Sequence, residues 1–171
     1  MIGGKIKSKK GFTLVELLAV IVVLAIVMGI AAVAITNVLD STRKNAYVAS
    51  AKQFIAGAKT LVNADEMNIL LGESAAYAPK CDPSKTGDDA VNTKIALSVI
   101  KTEGGSNDKS SWGNQIDKAN SFVQVFADGN STTGECTYRY KIYLTDGTYN
   151  IGTDAAPVAE TELKGSAVTT G

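Results

Sequence analysis

Histidine is absent from the 171 residues, which removes the commonest general base and metal ligand and makes a Ser-His-Asp triad impossible. Serines are plentiful, but none stands beside an identifiable base. Cysteine occurs only twice, at Cys81 and Cys136, so zinc would find at most half of its usual thiolate and imidazole set. No EF-hand spacing links the aspartates, and calcium needs about six to eight oxygens. The polar residues Asp82, Asp88, Asp89, Asp128, Asp146 and Asp154 read instead as solvated loop and turn positions. Neither metal nor cofactor is expected, and no catalytic residue is assigned. Proline is missing before Pro79, so no proline breaks the chain over its first 78 residues. Beyond the first ten residues there is no Lys/Arg cluster, which leaves no electrostatic footprint for nucleic acid.

What is present is sharply segregated. From Phe12 to Ile35, 21 of 24 residues are apolar. Lys5, Lys7, Lys9 and Lys10 precede this run without an acid, whereas from Phe12 onward 13 bases face 17 acids. Leu17 to Ile35 contains 19 residues without a charge, enough for a helix to cross the hydrocarbon core at about 1.5 Å per residue. The lysines should stay cytoplasmic, which sends the remainder outward. Such a segment reads as a permanent anchor, or as a secretory signal with Ala32-Val33-Ala34 at its cleavage site. Neither reading accounts for Glu16. A carboxylate at the bilayer centre costs about 2.5 to 3.5 kcal/mol, less toward the interface, and calls for a cation; none follows before Arg43. Cleavage after Gly11 would supply one, the α-amino group of Phe12.

The run Lys9-Lys10-Gly11-Phe12-Thr13-Leu14-Val15-Glu16-Leu17-Leu18 resembles the class III signal of type IV pilins. The resemblance implies that a prepilin peptidase cuts between Gly11 and Phe12, that Phe12 is then N-methylated, and that Glu16 acts in assembly. It also implies self-assembly into a helical homopolymer, driven by a pilus assembly ATPase and platform machinery. The precursor would sit in the cytoplasmic membrane with its amino terminus inside and its head outside, and the assembled subunit in an extracellular pilus. Such filaments serve adhesion, surface motility or biofilm formation and can meet a host or surface ligand. A pseudopilin of a type II secretion or competence system shares this amino terminus, and a membrane-anchored surface binding protein is the alternative from another class. Many relatives carry a proline inside the apolar helix; here Gly29 is the only strong helix weakener of the span.

The helical pattern continues past Ile35. Tyr47, Ala51, Phe54, Ala58 and Leu61 recur at spacings of four and three, widened by Ile55 and Val62. One helix is therefore expected from about Phe12 to about Asn63, with a loop over 64–89 and a second short helix from Asp88 to Glu103, its inward residues being Val91, Ile95, Val99 and Ile100, closed by Gly104-Gly105. The period then changes. Ser121 to Ala127 reads as a strand, and Thr137 to Leu144 alternates, with Tyr138, Tyr140, Ile142 and Leu144 on one face. Asp146-Gly147 supplies hairpin chemistry before a strand over Thr148 to Gly152. The tail after Asp154 is either a final edge element or disordered.

The expected fold class is α+β: a long N-terminal helix, transmembrane in its first half and amphipathic in its second, packed on a small antiparallel head. The expected organisation is a leader at 1–11, an apolar helix at 12–36, its amphipathic half at 37–63 and a head at 64–171. Cys81 and Cys136 lie in the exported part, where oxidation is permitted. They read as a possible disulfide tying the post-helix loop to the sheet, against two separate thiols. Their 54 intervening residues depart from the carboxyl-terminal pairing of many pilins. Asn130-Ser131-Thr132 matches the N-glycosylation pattern, a short motif whose use depends on the host. Trp112 and Tyr143 are either surface contacts or, more simply for Trp112, core.

Overall fold

The computed structural model describes residues 12–70, 76–102 and 109–171. The chain divides into two compact units, one ending at Asp40 and one running from Ser41 to Gly171. A single helix, α1 (Leu14–Leu70), supplies residues to both. In the second unit α1 presents Tyr47, Ala51, Phe54, Ile55, Ala58 and Val62 inward, all buried. Their spacing of three and four residues places them on one stripe.

That stripe covers one face of an antiparallel sheet. Its strands are β1 (Val91–Ala96), β2 (Phe122–Gly129), β3 (Cys136–Thr145), β4 (Tyr149–Ile151), β5 (Val158–Ala159) and β6 (Val168–Thr170). The spatial order is β1-β2-β3-β4-β6, with β5 paired to β3. Register follows the period of two: Val123 pairs with Ile142 and Val125 with Tyr140, so these four side chains point together toward α1 and join its core cluster. Ile95, Leu144, Ile151 and Leu163 belong to the same cluster. The tail is thus ordered: β6 pairs with β4 as an edge strand.

Two sequence expectations are corrected. Of the helix expected from Asp88 to Glu103, the described residues to Thr102 form none: a 3-10 turn at Gly87–Asp89 leads through Ala90 into β1. Val91, Thr93 and Ile95 are β-branched and alternate, which suits a strand better than a helix, and every residue of β1 has a partner on β2. Ile95 and Ile100 are indeed buried, but Val99 is 42% exposed. Gly104-Gly105 lies outside the described residues. The second correction concerns the end of α1, which lies at Leu70 rather than near Asn63. The inward stripe continues from Val62 to Asp65, itself buried. Its Oδ2 accepts the backbone N–H groups of Ala76, at 2.9 Å, of Tyr77, and of Ala78, at 3.0 Å. A polar residue at a core position ends the apolar pattern without ending the helix, because three donors satisfy it.

The loop before β1 is strapped to the β2–β3 hairpin. Cys81 and Cys136 form a disulfide with Cα atoms 5.8 Å apart. The Gly129 N–H donates to the Lys85 carbonyl at 2.7 Å, and a Cβ on Gly129 would collide with the backbone of Asp82 and Pro83. Arg139 donates through Nε and Nη2 to both oxygens of Asp128, at 2.9 and 3.1 Å, and through Nη2 to the Gly87 carbonyl at 2.8 Å. Asp128 in turn accepts the Gly87 N–H.

At the other end of β3, Asp146 accepts the N–H groups of Thr148 and Tyr149 at 2.9 and 2.7 Å, and Gly147 takes φ 83°, the left-handed conformation a tight hairpin turn favours. Trp112 is half-buried and packs against the core, stacked on Tyr149 at 3.7 Å and edge-on to Tyr47 at 5.6 Å. Tyr143 lies on the opposite face, its ring 5.8 Å from that of Phe122.

These carboxylates set the acid response. Hydrogen bonding by Arg139 holds the Asp128 carboxyl below the usual range, burial opposing and the Gly87 N–H assisting. For Asp146, burial pushes upward, but hydrogen bonds from Ser110, Tyr149, Thr148 and Asn114 outweigh it and leave the pKa lowered. A depressed carboxylate contributes stability that is full above its unfolded pKa of about 4 and is lost as pH falls through the folded value. The head should therefore keep a constant urea midpoint from pH 7 to about 5 and lose stability progressively below about 4. Asp128→Asn should cost about 1.5 kcal/mol at pH 7 and flatten part of that acid decline. Urea titrations of both proteins across this range measure it.

Candidate assembly site at the amino terminus

Thr13 and Glu16 close the start of α1 on each other. The Glu16 N–H donates to Thr13 Oγ1 at 3.3 Å, while Glu16 Oε2 accepts both the Thr13 N–H and the Thr13 hydroxyl, each at 2.9 Å. The first helical bond follows, Leu17 N–H to the Thr13 carbonyl at 3.2 Å. This is a reciprocal capping box: each side chain satisfies a backbone donor of the first turn that the helix leaves open. Its Thr-x-x-Glu pattern before an apolar run was legible in the sequence.

Glu16 is thereby folded back toward residue 12, at the end of a helix that is apolar on every side. Phe12 is 88% exposed, and Leu17, Val20, Ile21, Leu24 and Met28 are exposed as well. An all-round apolar helix has no face for water, so its environment is lipid or other helices. The helix is long and apolar enough to cross a membrane. α1 passes through Gly29 unbroken, and nothing lies near the position a Cβ there would take. Of the expected site residues, Phe12 and Glu16 are brought to one helix start, Cys81 and Cys136 to one bond in the head, and Gly11 lies outside the described residues.

Thr13→Val should remove the hydroxyl from both hydrogen bonds and cost the first turn about 1 kcal/mol. The expected result is faster hydrogen exchange confined to the first turn, with the head's exchange unchanged. Equal protection in both proteins would show that the cap does not hold this terminus.

A family model, the prokaryotic N-terminal methylation motif, matches residues 6–32. That match supports a type IV pilin-like prepilin at the amino terminus, and the long helix packed on a small antiparallel sheet is consistent with the pilin α+β fold. No curated protein and no solved structure matches it.

Proposed function

We propose that this chain is the structural subunit of a type IV pilus, stored in the cytoplasmic membrane and assembled through its apolar helix into a filament used for adhesion, surface motility or biofilm formation. One observation carries the reading: a lone carboxylate, Glu16, sits at the head of a helix whose apolar side chains are exposed all round. The same surface that dissolves in lipid packs against copies of itself, so a subunit passes from bilayer to filament without meeting water. Cleavage between Gly11 and Phe12 by a prepilin peptidase creates the amino group of Phe12, which is then methylated. In the filament, Glu16 of an incoming subunit faces the Phe12 amino group of a neighbour. A disulfide-tied head larger than most pseudopilins carry favours a pilin over a pseudopilin.

Mass spectrometry of sheared surface material tests this. The expected amino-terminal peptide begins at Phe12 and is heavier by one methyl group, and electron microscopy should show that filaments vanish on deletion of the gene. A mature protein beginning near Ile35, or retaining Met1, would overturn the proposal. A Phe12 start confined to membranes, with filaments intact after deletion, would point to the pseudopilin instead.

A further inference from the structure

The hairpin that joins β2 to β3 carries a modification pattern that filament assembly does not use. Of the ten asparagines, only Asn130 is followed by a serine or threonine two positions on, and the intervening residue, Ser131, is not proline. We infer that Asn130 is an acceptor for an N-linked sugar, supplied by a sugar donor activated on a polyprenyl phosphate.

Placement and conformation both fit. Residues 130–135 are all exposed, so an enzyme can reach the tip without unfolding the sheet. The turn is held shut beneath it: the Asn130 N–H donates to the Glu135 carbonyl and the Gly134 N–H to the Asn130 carbonyl, each at 2.8 Å, while Gly134 takes φ 76°. Just below, Cys136 is tied to Cys81. Asn130 Oδ1 accepts the N–H groups of Thr132 at 2.9 Å and Thr133 at 3.3 Å, while Nδ2 donates to no group among the described residues. Two donors on the carbonyl oxygen draw electron density out of the carboxamide and make its N–H easier to deprotonate. The same turn brings Thr132, the hydroxyl residue of the pattern, back against the amide that reacts.

In the reaction, Nδ2 forms a bond to C1 of the sugar as the bond from C1 to the phosphate oxygen breaks. The lipid phosphate leaves with that electron pair, and the proton lost from Nδ2 balances it. The inference rests on the head lying outside the cytoplasm, as in the proposed function.

Protein from its native cells, reduced and digested with trypsin, provides the test, since Asn130 falls in the single peptide Ala119–Arg139. The expected result is that peptide carrying additional hexose or N-acetylhexosamine mass, located by fragmentation on Asn130. Asn130→Gln and Thr132→Ala should each reduce the modified form at least tenfold, and Thr132→Ser should restore part of it. A bare peptide, or sugar on the Ser131 or Thr132 hydroxyl, would overturn the inference. The same digest reports the amino-terminal peptide, so a Phe12 start with a bare Asn130 rejects the modification while leaving the filament reading in place.

Discussion

Glu16→Ala should leave the chain processed and stored in the membrane but reduce assembled filaments by a hundredfold or more. The expectation follows from what the carboxylate does in each setting. In the membrane it is held by its own chain, through the Thr13 N–H and hydroxyl. In a dry filament core it would also face the positive amino group of a neighbour's Phe12. Removing one member of a buried pair leaves the other uncompensated, typically at about 3 to 5 kcal/mol, and this penalty recurs at every subunit added. Glu16→Gln separates the two roles. Glutamine keeps the capping box, because its side-chain oxygen still accepts the Thr13 N–H, but it carries no charge. Loss of filaments in both variants, with normal mature peptide in membranes, is the expected pattern. Wild-type filament numbers with Glu16→Gln would show that the cap, not the charge, is what assembly requires.

Cys81→Ser should lower the thermal midpoint of the head by roughly 10 °C, and Cys136→Ser by the same amount. The bond closes a loop of 54 intervening residues, for which chain entropy alone gives about 4 kcal/mol. The Arg139 fork on Asp128 and Gly87, and the Gly129 N–H on Lys85, keep the loop docked in the folded state without it, but they break on unfolding and do not replace that contribution, of which disulfides often deliver only part. A net loss of about 2 to 4 kcal/mol is therefore expected. Near-ultraviolet circular dichroism of the full chain in detergent, oxidised and reduced, measures it. Arg139→Ala combined with Cys81→Ser should lose more than either change separately, since both act on the same loop. Equal midpoints for the oxidised and reduced protein would mean that the hydrogen bonds alone hold the strap.

Much of this architecture was legible because its signals repeat. The stripe from Tyr47 to Val62 recurs at helical spacing over several turns, and β3 alternates over its whole length, so each element is specified many times over. The Asp146-Gly147 turn was readable for a different reason, since its backbone demands those residue types. β1 was misread because Val91 and Ile95 satisfy both periods, being four residues apart and also on one face of a strand. Only its pairing with β2, a contact distant in sequence, decides between them. The end of α1 was misplaced because Asp65 is polar at a core position, and its three donors come from Ala76, Tyr77 and Ala78, beyond the helix. At the amino terminus the motif identified Phe12 and Glu16 without any structure, and Thr13-x-x-Glu16 carried the capping-box pattern, while the structure added the geometry of the bonds that close it. The strap of Arg139 across Asp128 and Gly87 carried no local signal at all.

Trp112 is the only tryptophan in the chain, and it lies half-buried against the head's core, face to face with Tyr149 and edge-on to Tyr47. The protein therefore carries a single built-in optical reporter, and that reporter sits among head residues alone. Its emission should stay the same whether the apolar helix is in detergent, in vesicles or in a filament, and change only when the aromatic stack opens. Unfolding of the head and insertion or polymerisation of the helix become two separately readable events in one unlabelled sample, one by fluorescence and the other by sedimentation.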